Sequence, residues 1–117
     1  MTRDPQQLLP LRPLELLILA MLAAGERHGY GLHEDIAAHT KGRIAPEAGN
    51  LYRHIRRLES AGLVEQAGSR RAGGAGDDRR IYYRICPFGR RVLAAEMQRL
   101  RELFLVAEGG RVAAAQS

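Results

Sequence analysis

The sequence predicts a mainly helical α+β protein in which a winged helix-turn-helix domain carries one appended C-terminal helix. Its 117 residues are enough for a single domain. Hydrophobic residues make up 45% and charged residues 26%, which is the composition of a folded protein. The periodic segments follow the order helix, helix, helix, strand, glycine-rich loop, strand, helix. A hairpin after two helices joined by a short turn is typical of this fold.

Residues 1–10 are expected to form a flexible arm before the winged helix-turn-helix domain of residues 11–86. The first helix is predicted to begin at Pro13, where a proline loses no helical hydrogen bond, and to end before Gly25. Apolar residues lie almost all round this helix, so we expect it to be buried from several sides, in part by a second subunit. The second helix is predicted over residues 29–40.

The third helix is predicted to begin at residues 45–47. Pro46 suits a first turn, and the Glu47 carboxylate complements the positive end of the helix dipole. Gly62 is expected to end the helix. Apolar residues at i, i+4 and i+7 give it a core-facing stripe, formed by Leu51, Ile55 and Leu58.

Two strands joined by a long loop are predicted after the third helix. The first covers residues 63–67, and residues 68–78, rich in Gly, Arg and Asp, form the loop of a hairpin. The second strand covers residues 80–85. Alternation places three of its apolar side chains on one face: Ile81, Tyr83 and Ile85. Ile44 is a candidate for one further short strand.

The last helix is predicted over residues 87–108, and the small and polar residues 109–117 are expected to be disordered. Apolar residues recur along this helix at spacings of three and four, as in a coiled-coil seam: Leu93, Met97, Leu100 and Phe104. One interpretation is that the seam packs onto the core of its own chain. We favour a dimerisation helix that joins two copies into a homodimer, because so small a domain can bury its core without the seam.

The positive charge is concentrated in one part of the chain. Eighteen basic and thirteen acidic residues give a net charge of +5. Residues 41–91 hold twelve of the basic residues and five of the acidic residues, so that segment alone carries +7. A local basic excess is typical of a protein that binds an anionic polymer.

The outward face of the third helix is the first candidate binding surface. Counted at about 100° per residue from the apolar stripe, the opposite side carries a glycine, an amide and three guanidinium groups. The candidate residues are Gly49, Asn50, Arg53, Arg56 and Arg57, with Tyr52 at the edge. In a DNA major groove arginine pairs with guanine edges and asparagine with adenine edges. The alternative is an ordinary solvated helix face, which the neighbouring turn and arginine-rich hairpin make the weaker interpretation.

Four arginines of the hairpin form the second candidate surface: Arg70, Arg71, Arg79 and Arg80. Paired arginines at the tip of a wing can lie on a phosphate backbone or enter a minor groove. Asp77 and Asp78 weaken this positive field, or hold the loop by capping a turn.

Enzymatic chemistry finds no support in the sequence. A glycine-rich phosphate loop with lysine, a His-Glu-x-x-His motif and a nucleophile-elbow serine are absent, so we expect no enzymatic activity and no cofactor. The four histidines lack the spacing of a metal site and are expected to be solvated or to cap helices. No apolar stretch approaches the ~20 residues of a membrane span, and we expect a cytoplasmic, nucleoid-associated protein.

The single cysteine, Cys86, precedes Pro87 at the start of the last helix. A helix dipole there would lower the pKa of the thiol and favour redox sensing. The alternative, which we favour, is a small buried side chain without redox function.

Three segments carry a resemblance to a known family: residues 28–32 (HGYGL), residues 46–64 (PEAGNLYRHIRRLESAGLV) and residues 79–85 (RRIYYRI) followed by Gly89-Arg90. Together they resemble the PadR family of bacterial transcriptional regulators over roughly residues 11–107. The resemblance implies a dimeric winged helix whose last helix embraces the other subunit and which represses a neighbouring gene by occupying its operator. Asn50 stands where that family usually has Ser or Thr, and Cys86 where a helix-capping Thr is usual.

The sequence therefore predicts a homodimeric repressor that binds a palindromic operator in double-stranded DNA. The alternative is a winged helix that serves as a protein-interaction module and does not read DNA sequence. A small apolar or phenolic inducer is expected between the first and last helices, where the dimer can flex. The residues expected to line this cleft are Leu17, Met21, Val92 and Met97. The alternative is that side chains fill the cleft.

Overall fold

The structure, a computed structural model, describes residues 3–71 and 79–116, with side chains in the last helix as far as residue 110. A 3-10 helix, Pro5–Leu8, comes first. The elements that follow are α1 (Pro13–Ala24), β1 (Arg27–His28), α2 (Gly29–His39), α3 (Ala48–Ser60), β2 (Val64–Arg71), β3 (Arg79–Ile85) and α4 (Pro87–Gln116). The strands form one antiparallel sheet in the order β1-β3-β2. The predicted winged helix-turn-helix with an added C-terminal helix is confirmed.

The hydrophobic core is built around α1, which packs against α2, α3, α4 and β3. Ile18 and Leu19 of α1 have no exposed surface, and Leu22 is 2% exposed. The predicted stripe of α3 faces this helix and is buried in full, comprising Leu51, Ile55 and Leu58. Burying a Leu or Ile side chain stabilises the fold by about 1.5–3 kcal/mol. The single chain thus accounts for much of the burial expected for α1.

Residues 5–8 form a helical turn where the sequence predicts a flexible arm. The Asp4 side chain caps this turn, and the turn packs against α4. Further along, the Glu96 carboxylate of α4, which is 1% exposed, accepts a hydrogen bond from the Leu11 N–H at 2.8 Å. The Arg99 guanidinium, which donates to the same carboxylate, lowers the pKa of Glu96 below its ordinary value. Local sequence patterns carry no signal for contacts with so distant a helix.

The start of α3 also differs from the expectation. The helix begins at Ala48 rather than at residues 45–47, and Glu47 is its N-cap with an extended backbone. The Glu47 side chain makes no capping hydrogen bond. The residue before a proline is disfavoured in the helical conformation, which keeps Ala45 out of the helix. Glu47 has the extended backbone that is typical of an N-cap.

The third strand of the sheet is β1, not a strand at Ile44 as considered above. Ile44 lies outside the strands. In β1, Arg27 pairs with Tyr83 and His28 with Tyr82. A two-residue strand is too short to show the alternation that identifies strands in a sequence.

The hairpin of β2 and β3 is longer than predicted. The first four residues of its predicted loop, 68–71, belong to β2, and β3 begins one residue earlier than predicted, at Arg79. Residues 72–78, with the proposed roles of Asp77 and Asp78, lie outside the described part of the chain. One extra residue in β2 forms a bulge, because the register passes from Gln66↔Tyr83 to Ser69↔Ile81. Gly68 lies in the bulge with φ +101°.

The three apolar residues predicted on one face of β3 divide at this bulge. Tyr83 and Ile85 are buried in the core, as predicted. Ile81 is 45% exposed, because it belongs to the part of the hairpin that extends beyond the core.

The last helix, α4, continues to Gln116 instead of ending at residue 108. The segment expected to be disordered, residues 109–117, is therefore helical throughout its described part, residues 109–116, which fits its three consecutive alanines. Within residues 3–71 and 79–116, no helix is both long and apolar enough to cross a bilayer.

The first turns of α4 approach the chain after α3 so closely that only glycine fits at position 89. A Cβ there would lie 2.2 Å from the Leu63 carbonyl oxygen. We expect Gly89→Ala to lower the free energy of unfolding by about 1–3 kcal/mol, because the backbone of Leu63 must move. Chemical denaturation measures this change.

The matched control is Gly109→Ala in the same helix, where a Cβ would meet no atom within 4 Å. It should raise the free energy of unfolding by about 0.5–1 kcal/mol, since alanine favours a helix interior. Equal effects of the two substitutions would contradict the close approach at Gly89.

Candidate nucleic-acid interface

The face of α3 opposite the core holds the first set of candidate residues together. Gly49, Arg53, Arg56 and Arg57 are exposed, Asn50 is half-buried and Tyr52 is 37% exposed. An open groove of about 580 Å³ runs along this face, lined by Arg53, Arg56, Arg57, Ser60 and Ala61. Three guanidinium groups line the groove or its rim, so the face suits a ligand that carries several negative charges or hydrogen-bond acceptors.

Two of these arginines are held in different ways. Arg53 donates from Nη2 to the Asn50 Oδ1 at 2.6 Å, which is a contact within α3. Arg57 donates from Nε to the Glu15 Oε2 at 3.0 Å, and this carboxylate belongs to the first turn of α1. The Arg57 side chain remains 52% exposed.

The carboxylate that holds Arg57 is itself buried. Glu15 is 4% exposed and also faces His54 of α3, with 2.6 Å between Oε2 and Nδ1. His54 is 8% exposed. The expectation that the histidines are solvated or cap helices is therefore wrong for His54. The motifs of the sequence assign no role to Glu15. The available signal was a lone acid within an otherwise apolar helix.

The wing, β2 and β3, is joined to the start of α2 by rings and guanidinium groups. His28 caps α2 and stacks on Tyr30, while its edge meets Tyr82 of β3 with 5.2 Å between ring centroids. Arg70 lies over the Tyr82 ring at 4.1 Å, and Arg80 over the Tyr30 ring at 5.5 Å. Cation–π contacts of this kind contribute about 0.5–1 kcal/mol at exposed sites. The first contact fixes Arg70 relative to β3, and the second fixes Arg80 relative to α2.

The outer part of the wing places like charges opposite one another. Arg70 pairs across the strands with Arg80, and Arg71 with Arg79. Like charges directly opposite one another in a sheet are destabilising. Arg70 is partly compensated by an ion pair with Glu26, the residue before β1.

Tyr52, at the edge of the α3 face, contacts α2. Its ring lies across the start of α2, where a Cβ on Gly29 would be 2.2 Å from the hydroxyl oxygen. The hydroxyl therefore packs against the α2 backbone. The same ring lines a cavity of about 390 Å³ between α2, α3 and the wing, together with Tyr30 and Arg80.

A family model for the transcriptional regulator PadR-like family matches residues 18–95. The chain belongs to this family. The match covers α1, α2, α3, the wing and the first part of α4, so it includes every element of the candidate interface. Comparison with the curated proteins gave no match.

Solved structures resemble this PadR-like regulator over most of its length. A PadR family transcriptional regulator from Eggerthella lenta is 30% identical, with 92% of this chain and 84% of that chain covered and a TM-score of 0.64. A transcriptional regulator from Clostridium thermocellum is 25% identical, with 82% and 87% covered and a TM-score of 0.66. Bacillus subtilis PadR in complex with operator DNA is 19% identical, with 74% and 47% covered and a TM-score of 0.63.

The predicted dimerisation seam of the PadR-like regulator divides into two parts. Leu93 is 8% exposed and belongs to the core of its own chain, in line with the alternative considered above. Met97 is 46% exposed and Phe104 is 63% exposed, with a half-buried Leu100 between them. The seam is therefore open from Met97 onward.

The predicted inducer cleft is filled at one of its four positions. Val92 has no exposed surface, because it packs in the core. Leu17 and Met21 are half-buried and pack against the same core. These side chains fill the space between α1 and α4 at Val92, as the alternative to an open cleft requires.

Cys86 does not behave as the helix-dipole interpretation predicts. Burial raises the pKa of its thiol, and the nearby Glu65 carboxylate raises it further. A higher pKa leaves less thiolate at neutral pH, which disfavours redox sensing. Among the described residues there is also no group of three or more potential metal ligands.

The raised thiol pKa can be tested by alkylation. Because iodoacetamide reacts with the thiolate, Cys86 should react more slowly at pH 7.5 than an unhindered cysteine in a short peptide. The midpoint of its rate against pH should also lie at a higher pH than that of the peptide. Mass spectrometry across pH 7–10 gives the profile, with Cys86→Ser as the blank. A midpoint below that of the peptide would show that the helix dipole dominates instead.

Proposed function

We propose that this PadR-like regulator is a repressor that binds a palindromic operator in double-stranded DNA as a homodimer. The observation that carries the proposal is the exposed arginine face of α3, formed by Arg53, Arg56 and Arg57. The wing adds two facing arginine pairs, and its Arg80 lines one cavity together with Tyr52 of α3. A helix with an outward arginine face suits a major groove, and a basic hairpin beside it suits the adjoining phosphates.

The two basic elements have different proposed roles. Arg53 and Arg57 read base edges, for which a planar guanidinium fork is suited, and Arg70 and Arg71 mainly neutralise phosphates. Six further residues complete the proposed surface: Gly49, Asn50, Tyr52 and Arg56 of α3, and Arg79 and Arg80 of the wing. The solved Bacillus subtilis relative is a complex with operator DNA, which supports DNA as the partner here.

Substitutions in the two elements should have separable effects on DNA binding. We expect Arg53→Ala to cost about 1–3 kcal/mol on a selected duplex and to relax the preference at one base pair. Arg71→Ala should weaken selected and random duplexes alike and flatten the salt slope by about 1. Fluorescence anisotropy titrations at several salt concentrations measure both quantities.

Arg91→Ala is the control, since it removes the same charge from an exposed position on α4. If Arg53→Ala also lost affinity equally on selected and random DNA, as is expected for Arg71→Ala, the assigned roles would be refuted. If the native protein discriminated no duplex from random DNA, the alternative of a protein-interaction module would replace the proposal.

The homodimer is supported by the apolar surface that α4 leaves open. Leu103, Phe104, Leu105 and Val106 are 55%, 63%, 67% and 73% exposed. A groove on the same stretch is lined by Leu100, Arg101, Phe104 and Leu105. Large contiguous apolar patches on a protein surface mark association sites. A second copy would cover this stretch, and a two-fold pair of α3 helices would match a palindrome.

A charge placed in the open seam should separate the subunits. We expect Leu100→Asp to convert dimer to monomer, because its carboxylate would lose water against apolar side chains. Affinity for a two-half-site duplex should fall at least 100-fold with it, since linked half-sites bind as a pair. Light scattering and DNA titration measure the two effects.

Gln98→Asp is the matched control, placed on the exposed polar side of the same helix. It should leave the protein dimeric. A native protein that is monomeric at 10–50 μM would exclude the homodimer.

The small apolar or phenolic inducer between α1 and α4 remains a prediction. The burial of Val92 means that these helices would have to move apart to admit a ligand at that position. Nucleoid association follows if the chain binds DNA as proposed.

A further inference from the structure

Glu15 is not part of the candidate interface, but it contacts one of the arginines on the outward face of α3. It lies in the first turn of α1, is 4% exposed, and shares one carboxylate oxygen between His54 and Arg57 of α3. We propose that Glu15 is a positioning residue for DNA recognition, which fixes the Arg57 guanidinium for its base pair without contacting DNA. This inference rests on the proposed DNA-binding function.

The contact uses one edge of the guanidinium and leaves the rest available. Glu15 accepts from Nε, the nitrogen nearest the backbone. Within the described residues, the two terminal nitrogens of Arg57 have no hydrogen-bond partner, and half of the side chain is exposed. A terminal fork held at its base is suited to a bidentate contact with guanine O6 and N7.

The role of His54 is to hold the carboxylate. With 2.6 Å between its Nδ1 and the Glu15 Oε2, the ring donates to a carboxylate that can only accept. His54 is buried and cannot reach a ligand in the groove. Glu15 is therefore fixed from one side by His54 and holds Arg57 on the other.

Stability alone gives a poor account of this arrangement. A buried ionic group is often replaced by apolar side chains of similar volume without loss of stability, because desolvation offsets the ionic attraction. Ordering a long arginine before DNA arrives, in contrast, removes an entropic cost from binding. Arg53 offers the comparison within the same helix, since its partner Asn50 is a half-buried neighbour on α3 and not a buried anchor on another helix.

The test uses the full-length protein and a duplex that the native protein selects from a random 20-bp pool. We expect Glu15→Gln to weaken this duplex about 3- to 10-fold, the range expected for an untethered side chain. Random-duplex affinity and the salt slope should change little, because the Arg57 charge remains. Among single-base variants of the duplex, discrimination should be lost at the same base pair that Arg57→Ala affects.

A double-mutant cycle separates positioning from a general effect on the fold. In the Arg57→Ala background, Glu15→Gln should cause no further loss, whereas in the Arg53→Ala background its effect should add in full. If Glu15→Gln does not fold, Glu15→Met with His54→Leu replaces the buried pair by apolar groups and leaves Arg57 without its anchor. The same base pair should then lose its discrimination.

Folded Glu15 variants that keep the base preference at the Arg57 position, or that weaken selected and random duplexes by one common factor, would overturn the inference. The proposed function fails differently. If the proposed function is wrong, the native protein enriches no sequence from the pool. This result is seen before any variant is made, and it refutes both proposals together.

Discussion

The burial of α1 is the constraint on which the other elements depend. A short helix that is apolar almost all round must be covered from several sides, and α2, α3, α4 and β3 do so. Because the apolar stripe of α3 packs against α1, the arginines of α3 lie on the opposite side. The orientation of the basic surface is thus a consequence of hydrophobic packing, and no charged contact is needed to set it.

The same packing explains why one polar contact lies within it. Where α1 begins, its surface meets α3, and the carboxylate of Glu15 enters the junction beside His54. Two helices in contact through apolar side chains can slide or rotate by small amounts, but a short hydrogen bond fixes one position along the contact. The core determines the approximate placement of α3, and this contact refines it.

Much of the fold follows from local sequence patterns. The period of α3, the alternation of β3 and the glycine and proline at helix ends act over a few residues, so they are visible without a structure. The helical turn before α1, the two-residue β1 and the Glu15–His54 contact are set by partners far along the chain. Local periodicity does not indicate contacts between residues far apart in the chain, so these features are not predicted from the sequence.

The candidate site shows the same division. Outward residues of α3 can be counted from the apolar stripe, and the six predicted there lie at the surface together. The contacts that hold the candidate arginines in place are not predictable from local patterns, because the partners of Arg57 in α3 and of Arg70 in the wing come from other elements. The dimerisation seam divided at Leu93 for a related reason, since periodicity alone does not distinguish a core contact from one between subunits.

The bulge at Gly68 decides which arginine of the wing meets which neighbour. Strand side chains alternate between faces, so one added residue exchanges the faces for all of β2 beyond it. With the bulge, Arg70 lies opposite Arg80 and stacks on Tyr82, while Arg71 is carried to the other face. Without the bulge, continued alternation from Gln66 would place Arg70 on the face that Arg71 now occupies. The bulge therefore sets the phase of the outer wing, because the backbone at Gly68 decides which of two adjacent arginines lies on the face of Tyr82.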